Sequence, residues 1–311
     1  MALGLDFHGL LFLSRVRRLG PFGRTLTVGR QQMAVSQFDM ARLFGTQQAA
    51  EKSGPYADVL LRGQFGACSV DSIDKSDYEG STINHDLNLP VPKNLYDAYD
   101  TIIDLGSSEH IFDVAQAFEN YARMLSIGGR VIHVLPANNF LGHGFWQVSP
   151  EVFFSRYSNK NGFGETSVFV APERSRTNFF RVVPPPPGGR VAVRSASPLY
   201  VLAHSTKVSE GRTEDVQQSD YVEIWSVGAK PGQSNHAGSL NDGGKRESIP
   251  RALLRLQSAF ILLQAIRRFR RNFLDFLRFG CHRKNPHLEK LSIDWEPFMS
   301  SSKAHDRLER T

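Results

Sequence analysis

The sequence has very little cysteine. Cys68 and Cys281 are its only two and lie far apart, which excludes a disulfide framework and a C-x-x-C metal knuckle. It also lacks long apolar runs. Spanning a bilayer takes about 18 uninterrupted apolar residues, and the most apolar helical stretch is broken by Gln264 and then by arginines, so a transmembrane reading fails. The start has no basic leader and no small-residue cleavage site, because Asp6 and His8 precede the short run GLLFL; a cytoplasmic protein is expected. No internal repeat occurs.

The 311 residues are enough for a full core, and 41% hydrophobic with 22% charged residues is ordinary globular composition. The formal charge of +6 is unevenly placed. Between Arg251 and Lys284 nine basic residues face one acid, Asp275, so this segment accounts for more than the whole excess.

From Arg24 to Lys207 strand-like and helix-like segments alternate, the pattern of a mainly parallel sheet covered on both faces. RTLTVG (24–29), ACSVDSID (67–74), STINHDL (81–87), TIIDLG (101–106) and RVIHVLP (130–136) read as strands, with TSVFVAP (166–172) and LYVLAHSTKV (199–208) closing the sheet. Ser36 with Asp39 forms a capping box for the helix QFDMARLF. Asp113 caps a helix with Val114, Phe118, Tyr121 and Leu125 on one face, ended by Gly128-Gly129, and Ser149-Pro150 opens another, EVFFSRY. PPPPGG (184–189) is a stiff arm that cannot join a ladder. The expected fold is α/β, a Rossmann-like doubly wound, mainly parallel sheet over residues 1–208. A polar linker (209–248) and a basic amphipathic helical extension (249–311) follow.

In such a sheet ligands bind beyond the carboxyl ends of the strands. The residues there are Gly29 and Arg30, Asp71 and Asp74, Asp86, then Asp104, Gly106, Ser107, Glu109 and His110, then Pro136 to Asn139: a polar, acid-rich rim. YDTIIDLGSSEHIF, VAQAFENYARML and SIGGRVIHVLP, followed by GHGFWQVSPEVFFSRYSNKNGF, resemble the second half of a class I S-adenosylmethionine-dependent methyltransferase of the bacterial methyltransferase-domain superfamily. The resemblance covers roughly residues 24–207 at the level of fold. It implies S-adenosylmethionine as cofactor, with Gly29 at the methionine-side turn and Asp74, or else Asp71, on the ribose hydroxyls. Asp86 and Leu87 fall at the adenine, and the corner from Asp104 through Gly106 to Ser108 passes under the methionine. Glu109 and His110 would face the transfer cleft.

For a hydroxyl acceptor, His143 in GHG is the first choice of general base and Glu109 the second, with Phe145 and Trp146 as an apolar or sugar-stacking wall. Each has a plainer alternative: Glu109 and His110 as helix-capping residues, His143 as a loop-ordering histidine, Asp74 and Asp86 as turn formers. His85 and His133 fall in strands and read as sheet-face or core residues. Glu109, His110, His143, Asp104 and His85 could converge on a metal, but no pair shows H-E-x-x-H or another recognised spacing, and no metal is expected.

The resemblance thus implies methyl transfer to an oxygen of a small molecule or glycan. The rival is a non-catalytic domain of the same fold serving as an interaction module, suggested by TVGRQQM, which has one glycine where the family carries several. For the basic helix over 249–280, packing on the main domain or in a homo-oligomer ranks first, peripheral contact with anionic lipid second and nucleic acid last.

Overall fold

A computed structural model describes residues 4–44, 54–186, 188–211, 216–221 and 288–291. Nine strands form one sheet: β1 (Gly23–Val28), β2 (Ala67–Asp74), β3 (Ile83–Asn84), β4 (Tyr99–Asp104), β5 (Leu125–Pro136), β6 (Phe163–Pro172), β7 (Phe179–Val182), β8 (Leu199–Lys207) and β9 (Leu288–Leu291). Their order is β3-β2-β1-β4-β5-β8-β6-β7-β9. The first five pair in parallel, while β8 runs antiparallel to both β5 and β6. The order 3-2-1-4-5 reverses between β1 and β4, which makes their carboxyl ends the switch point of a Rossmann-like, doubly wound sheet.

The sheet separates two cores because neighbouring strand residues point to opposite faces. Ile102, Val131, Val201 and Ala203 face Phe118, Tyr121, Phe153 and Tyr157 of α4 (Val114–Met124) and α5 (Pro150–Arg156) and the residue that follows it. Ile103, Ile132 and Leu202 face the other side, where α1 (Phe7–Arg17), α2 (Gln37–Phe44) and α3 (Asp58–Phe65) supply Leu10, Leu13, Met40, Phe44, Leu60 and Phe65. Burial on both faces is why the central strands read as nearly continuous apolar runs.

The expected caps are present. Ser36 Oγ accepts from Asp39 N at 3.1 Å, Asp113 accepts from Gln116 N at 3.0 Å, and Ser149 caps the helix that Pro150 opens. Several boundaries differ. The third strand shrinks to Ile83–Asn84, since Asp86 folds the chain into a turn by accepting from Asn88 N at 3.0 Å. The helix after Asp113 ends at Met124, before Gly128-Gly129: Leu125 takes extended dihedrals and pairs with Tyr99, so the glycines lie inside β5.

Helices α1 and α3 and strand β7 were not expected. Strand β9 pairs with β7, so four residues of the expected helical extension belong to the sheet. Part of the first half of the segment read as a linker is docked as well, since Glu151 accepts from Ser219 N at 2.7 Å and Ser219 Oγ at 2.6 Å. The basic stripe over 249–280 lies outside the described residues. Among the described residues no helix is long and apolar enough to cross a membrane.

Candidate active site

Val28 and Asp104 are paired at the ends of β1 and β4, and the two turns that follow meet at the switch point. Ser107 Oγ donates to Val28 O at 2.6 Å and closes the gap between them. Gly29 has φ 69°, and a Cβ on it would stand 3.0 Å from Ser107 Oγ, so the turn needs glycine for conformation and for space. Beyond the turns lies a cavity of about 500 Å³, within the usual size of small-molecule sites. Gly29, Asp74, Asp86, Leu87, Gly106 and His110 all line it.

Each residue expected there can now be placed. Asp74, at the end of β2, keeps its carboxylate free of hydrogen bonds to other described residues while lining the cavity. Asp71 sits in mid-strand and accepts from Tyr99 OH at 3.2 Å, away from the cavity, so of the two candidates Asp74 has the access. Asp86 is engaged by Lys75 at 2.9 Å and by Asn88, the first of which does most to hold its carboxyl down at about 2. Its turn-forming role is therefore real, whereas Leu87 offers an apolar wall.

Asp104 does not line the cavity. Its fully buried carboxylate accepts from Ser107 N at 3.0 Å, Ser108 N at 3.3 Å and Ser108 Oγ at 2.5 Å, and meets His133 Nδ1 at 3.1 Å. His133 in turn meets Tyr157 OH at 2.7 Å. Asp104 thus shapes the corner from inside and touches no ligand space. His133 is a satisfied core residue, as expected, while His85 lies just past β3, on the cavity wall.

Arg30 has been tied away from Gly29. It donates to Glu79 O at 2.9 Å and Asp58 Oδ2 at 3.2 Å, and its guanidinium lies 3.9 Å from the centre of the Tyr56 ring.

Next to the cavity, Glu109, His110 and His143 converge, with their ligand-capable atoms all within 4.8 Å of one another. Glu109 comes from the 3₁₀ turn Ser108–His110 that follows the corner; His143 comes from the loop after β5. That loop is fastened to Glu109 by Phe145 N and Trp146 N, which donate to Glu109 O at 2.7 and 3.3 Å. Burial, and next the charge of Asp104, raises the Glu109 carboxyl to about 8; burial lowers both His110 and His143. His143 was the first choice of base for the cavity, and its Nε2 instead points inward at Glu109, 3.4 Å from Oε1. His110, half exposed, is the member of the three that lines the cavity.

An exposed aromatic group borders this cluster. Phe112 and Phe145 line the cavity with ring centres 6.0 Å apart, and Trp146 stands beside them with its indole N–H on Ile111 O at 2.9 Å. Phe112 was not singled out from sequence, although it follows the Glu-His pair by two residues on an exposed turn.

No family model matches the sequence, and no curated protein matches it significantly. Solved structures do resemble it. A S-adenosylmethionine-dependent methyltransferase of Thermotoga maritima, described as a possible histamine N-methyltransferase, is 17% identical, with 65% of this chain and 89% of that one covered at a TM-score of 0.34. A putative methyltransferase of Bacillus halodurans is 11% identical over 63% and 99%, with a TM-score of 0.33. Phosphoethanolamine N-methyltransferase 2 of Haemonchus contortus, in complex with phosphomonomethylethanolamine and S-adenosylhomocysteine, is 16% identical over 52% and 39%, with a TM-score of 0.33. These likenesses concern the fold alone, an α/β, Rossmann-like sheet that the strand order above establishes by itself.

Proposed function

We propose that the protein is a S-adenosylmethionine-dependent methyltransferase acting on an oxygen of a small molecule or glycan. The observation that carries this reading is the cavity at the β1–β4 switch point, where Gly29, Gly106 and the unengaged carboxylate of Asp74 face one space. When bound, the cofactor supplies a methyl group already activated on a sulfonium, so the protein's task is chiefly to position it.

Asp74 would accept from the ribose hydroxyls, Leu87 and Ile111 would pack on the apolar base, and Gly29 would let the backbone approach the amino-acid end. The Arg30 guanidinium is bonded to Glu79 O and paired with Asp58, which would offset its charge toward a bound sulfonium. Phe112, Phe145 and Trp146 offer flat apolar faces of the kind sugar rings rest on, beside the cluster where a hydroxyl acceptor would lose its proton.

Calorimetric titration with S-adenosylmethionine and S-adenosylhomocysteine tests the reading. Micromolar binding is expected, and Asp74→Ala should weaken it by about 1.5–3 kcal/mol, the value of hydrogen bonds to a charged group. Absence of binding to the folded chain would overturn the cofactor assignment and favour a non-catalytic role for the fold, whereas unchanged affinity in a folded Asp74→Ala would retire the ribose role of Asp74 alone.

A further inference from the structure

The contacts of Glu109 leave its carboxylate unexplained. The residue is 0% exposed, yet among the described residues neither carboxylate oxygen has a hydrogen-bond partner, and Nε2 of His143 has none either. Oε1 of Glu109 lies 3.4 Å from His143 Nε2 and 3.8 Å from His110 Nε2. Charge-assisted hydrogen bonds would be about 2.7–2.9 Å long. A divalent transition ion, by contrast, holds nitrogen and carboxylate oxygen at roughly 2.0–2.2 Å, and tetrahedral angles then put ligand atoms about 3.4 Å apart. The Glu109–His143 edge has that length already, and the half-exposed ring of His110 completes the triangle.

The chain is built to hold this arrangement. His143 stands between Gly142 and Gly144, whose φ values of 97° and 76° turn the loop so that the imidazole lies over the carboxylate. Gly144 packs so closely on Glu109 that a Cβ there would meet the Glu109 Cγ at 2.7 Å. From the other side the four contacts to Asp104 fix the corner that carries Glu109 and His110.

We propose that Glu109, His110 and His143 bind a divalent first-row transition-metal ion, with zinc as the first candidate. Two imidazoles and one carboxylate are a ligand set suited to that class, and three protein ligands leave coordination open, as in catalytic rather than structural sites. The spacing rules by which no metal was expected rely on ligands paired a few residues apart, as in H-E-x-x-H, whereas here an adjacent Glu-His pair is joined by a histidine from a separate loop. The site stands independently of the methyltransferase reading. If that reading holds, the ion places positive charge where a hydroxyl acceptor sheds its proton to solvent, and favours acceptors with a second oxygen able to chelate.

The test uses the full-length chain, treated with a chelator and then titrated with Zn²⁺, and with Co²⁺ for its visible absorption, in the absence of S-adenosylmethionine. One ion per chain at micromolar affinity or tighter is expected. His110→Ala and His143→Ala should each weaken binding by more than about 100-fold, the upper range for losing an outer partner of a ligand. His85→Ala, which removes a cavity histidine outside the cluster, should leave it unchanged. Circular dichroism of each variant establishes that it is folded, and the exposure of His110 makes His110→Ala the safest probe. No stoichiometric binding, or equal affinity in both cluster variants, would overturn the proposal. Because cofactor and metal are titrated separately, loss of one result leaves the other standing.

Discussion

Gly144 is where the loop after β5 presses on the Glu-His corner, and replacing it with alanine tests whether that contact assembles the cluster. The added Cβ would lie 2.7 Å from both Cγ and O of Glu109, at a backbone φ of 76°. Gly142 is the internal control: its φ is 97°, but none of the described residues stands within 4 Å of a Cβ placed there. Both alanines carry a left-handed backbone penalty of about 1–2 kcal/mol. Gly144→Ala alone adds a collision, with a carbonyl that cannot retreat without disturbing Phe145 N and Trp146 N, both of which donate to it. Giving up those two bonds costs about 0.5–1.5 kcal/mol each. Gly142→Ala should therefore lower the unfolding free energy by ~1–2 kcal/mol and Gly144→Ala by ~2–5 kcal/mol, read from paired urea titrations. The imidazole resonances of His143 should move in Gly144→Ala and stay in place in Gly142→Ala. Equal destabilisation by the two substitutions, with His143 undisturbed in both, would refute the claim that the loop is seated on Glu109.

Other perturbations reach different layers of the structure. Asp104→Ala strands the backbone N–H groups of Ser107 and Ser108 and the Nδ1 of His133 in the core, and should lower stability by about 3–5 kcal/mol, as removal of one member of a buried pair does; a loss below about 1 kcal/mol in urea titrations would show the corner to be held otherwise. His204 on β8 is lowered to about 4, first by burial and then by Arg15 and Arg130. The unfolded chain takes up that proton near pH 6.5 and the folded chain only near 4, so the His204 contribution is complete above pH 6.5 and falls by ~3 kcal/mol on acidification to pH 4. His204→Leu should flatten this limb of the stability profile, and an unchanged slope would remove His204 from the account. Glu151→Ala should free the 216–221 segment, detectable as faster amide exchange at Ser219.

The sheet was legible where strands are long and buried on both faces. Strand β4, the heart of β5 and the late pair β6 and β8 were readable because apolar runs bounded by turn residues leave few alternatives. What escaped lacked periodicity or length. In α1 eight of the eleven residues are buried, Ser14 and His8 among them, so no polar stripe marks it as a helix. Strand β7 is four residues long, and β9 takes its place only through pairing with β7, more than 100 residues away in sequence. At the site, positions were easier to read than directions. His143 in GHG was the first choice of base, whereas the positive φ values of its flanking glycines fold the loop down onto Glu109 and bury Nε2. Asp104 lay in the right corner, but its side chain belongs to the core.

The single glycine after β1 also takes on a different meaning in three dimensions. A glycine-rich turn serves to leave backbone uncovered where a ligand must come close. Here the two following positions line the cavity too, and their long side chains are held by contacts with the protein. Arg30 leaves toward Glu79, Asp58 and Tyr56, and Gln31 turns back to donate to Val28 O at 2.6 Å. Only Gly29, facing Ser107 Oγ, has no room for a side chain. A shortened glycine motif is therefore compatible with an open cavity, provided the anchors of Arg30 remain. Since Asp58 lies on α3 and Glu79 in the turn before β3, the opening of the cavity depends on elements outside the motif, which its short sequence pattern could not reveal.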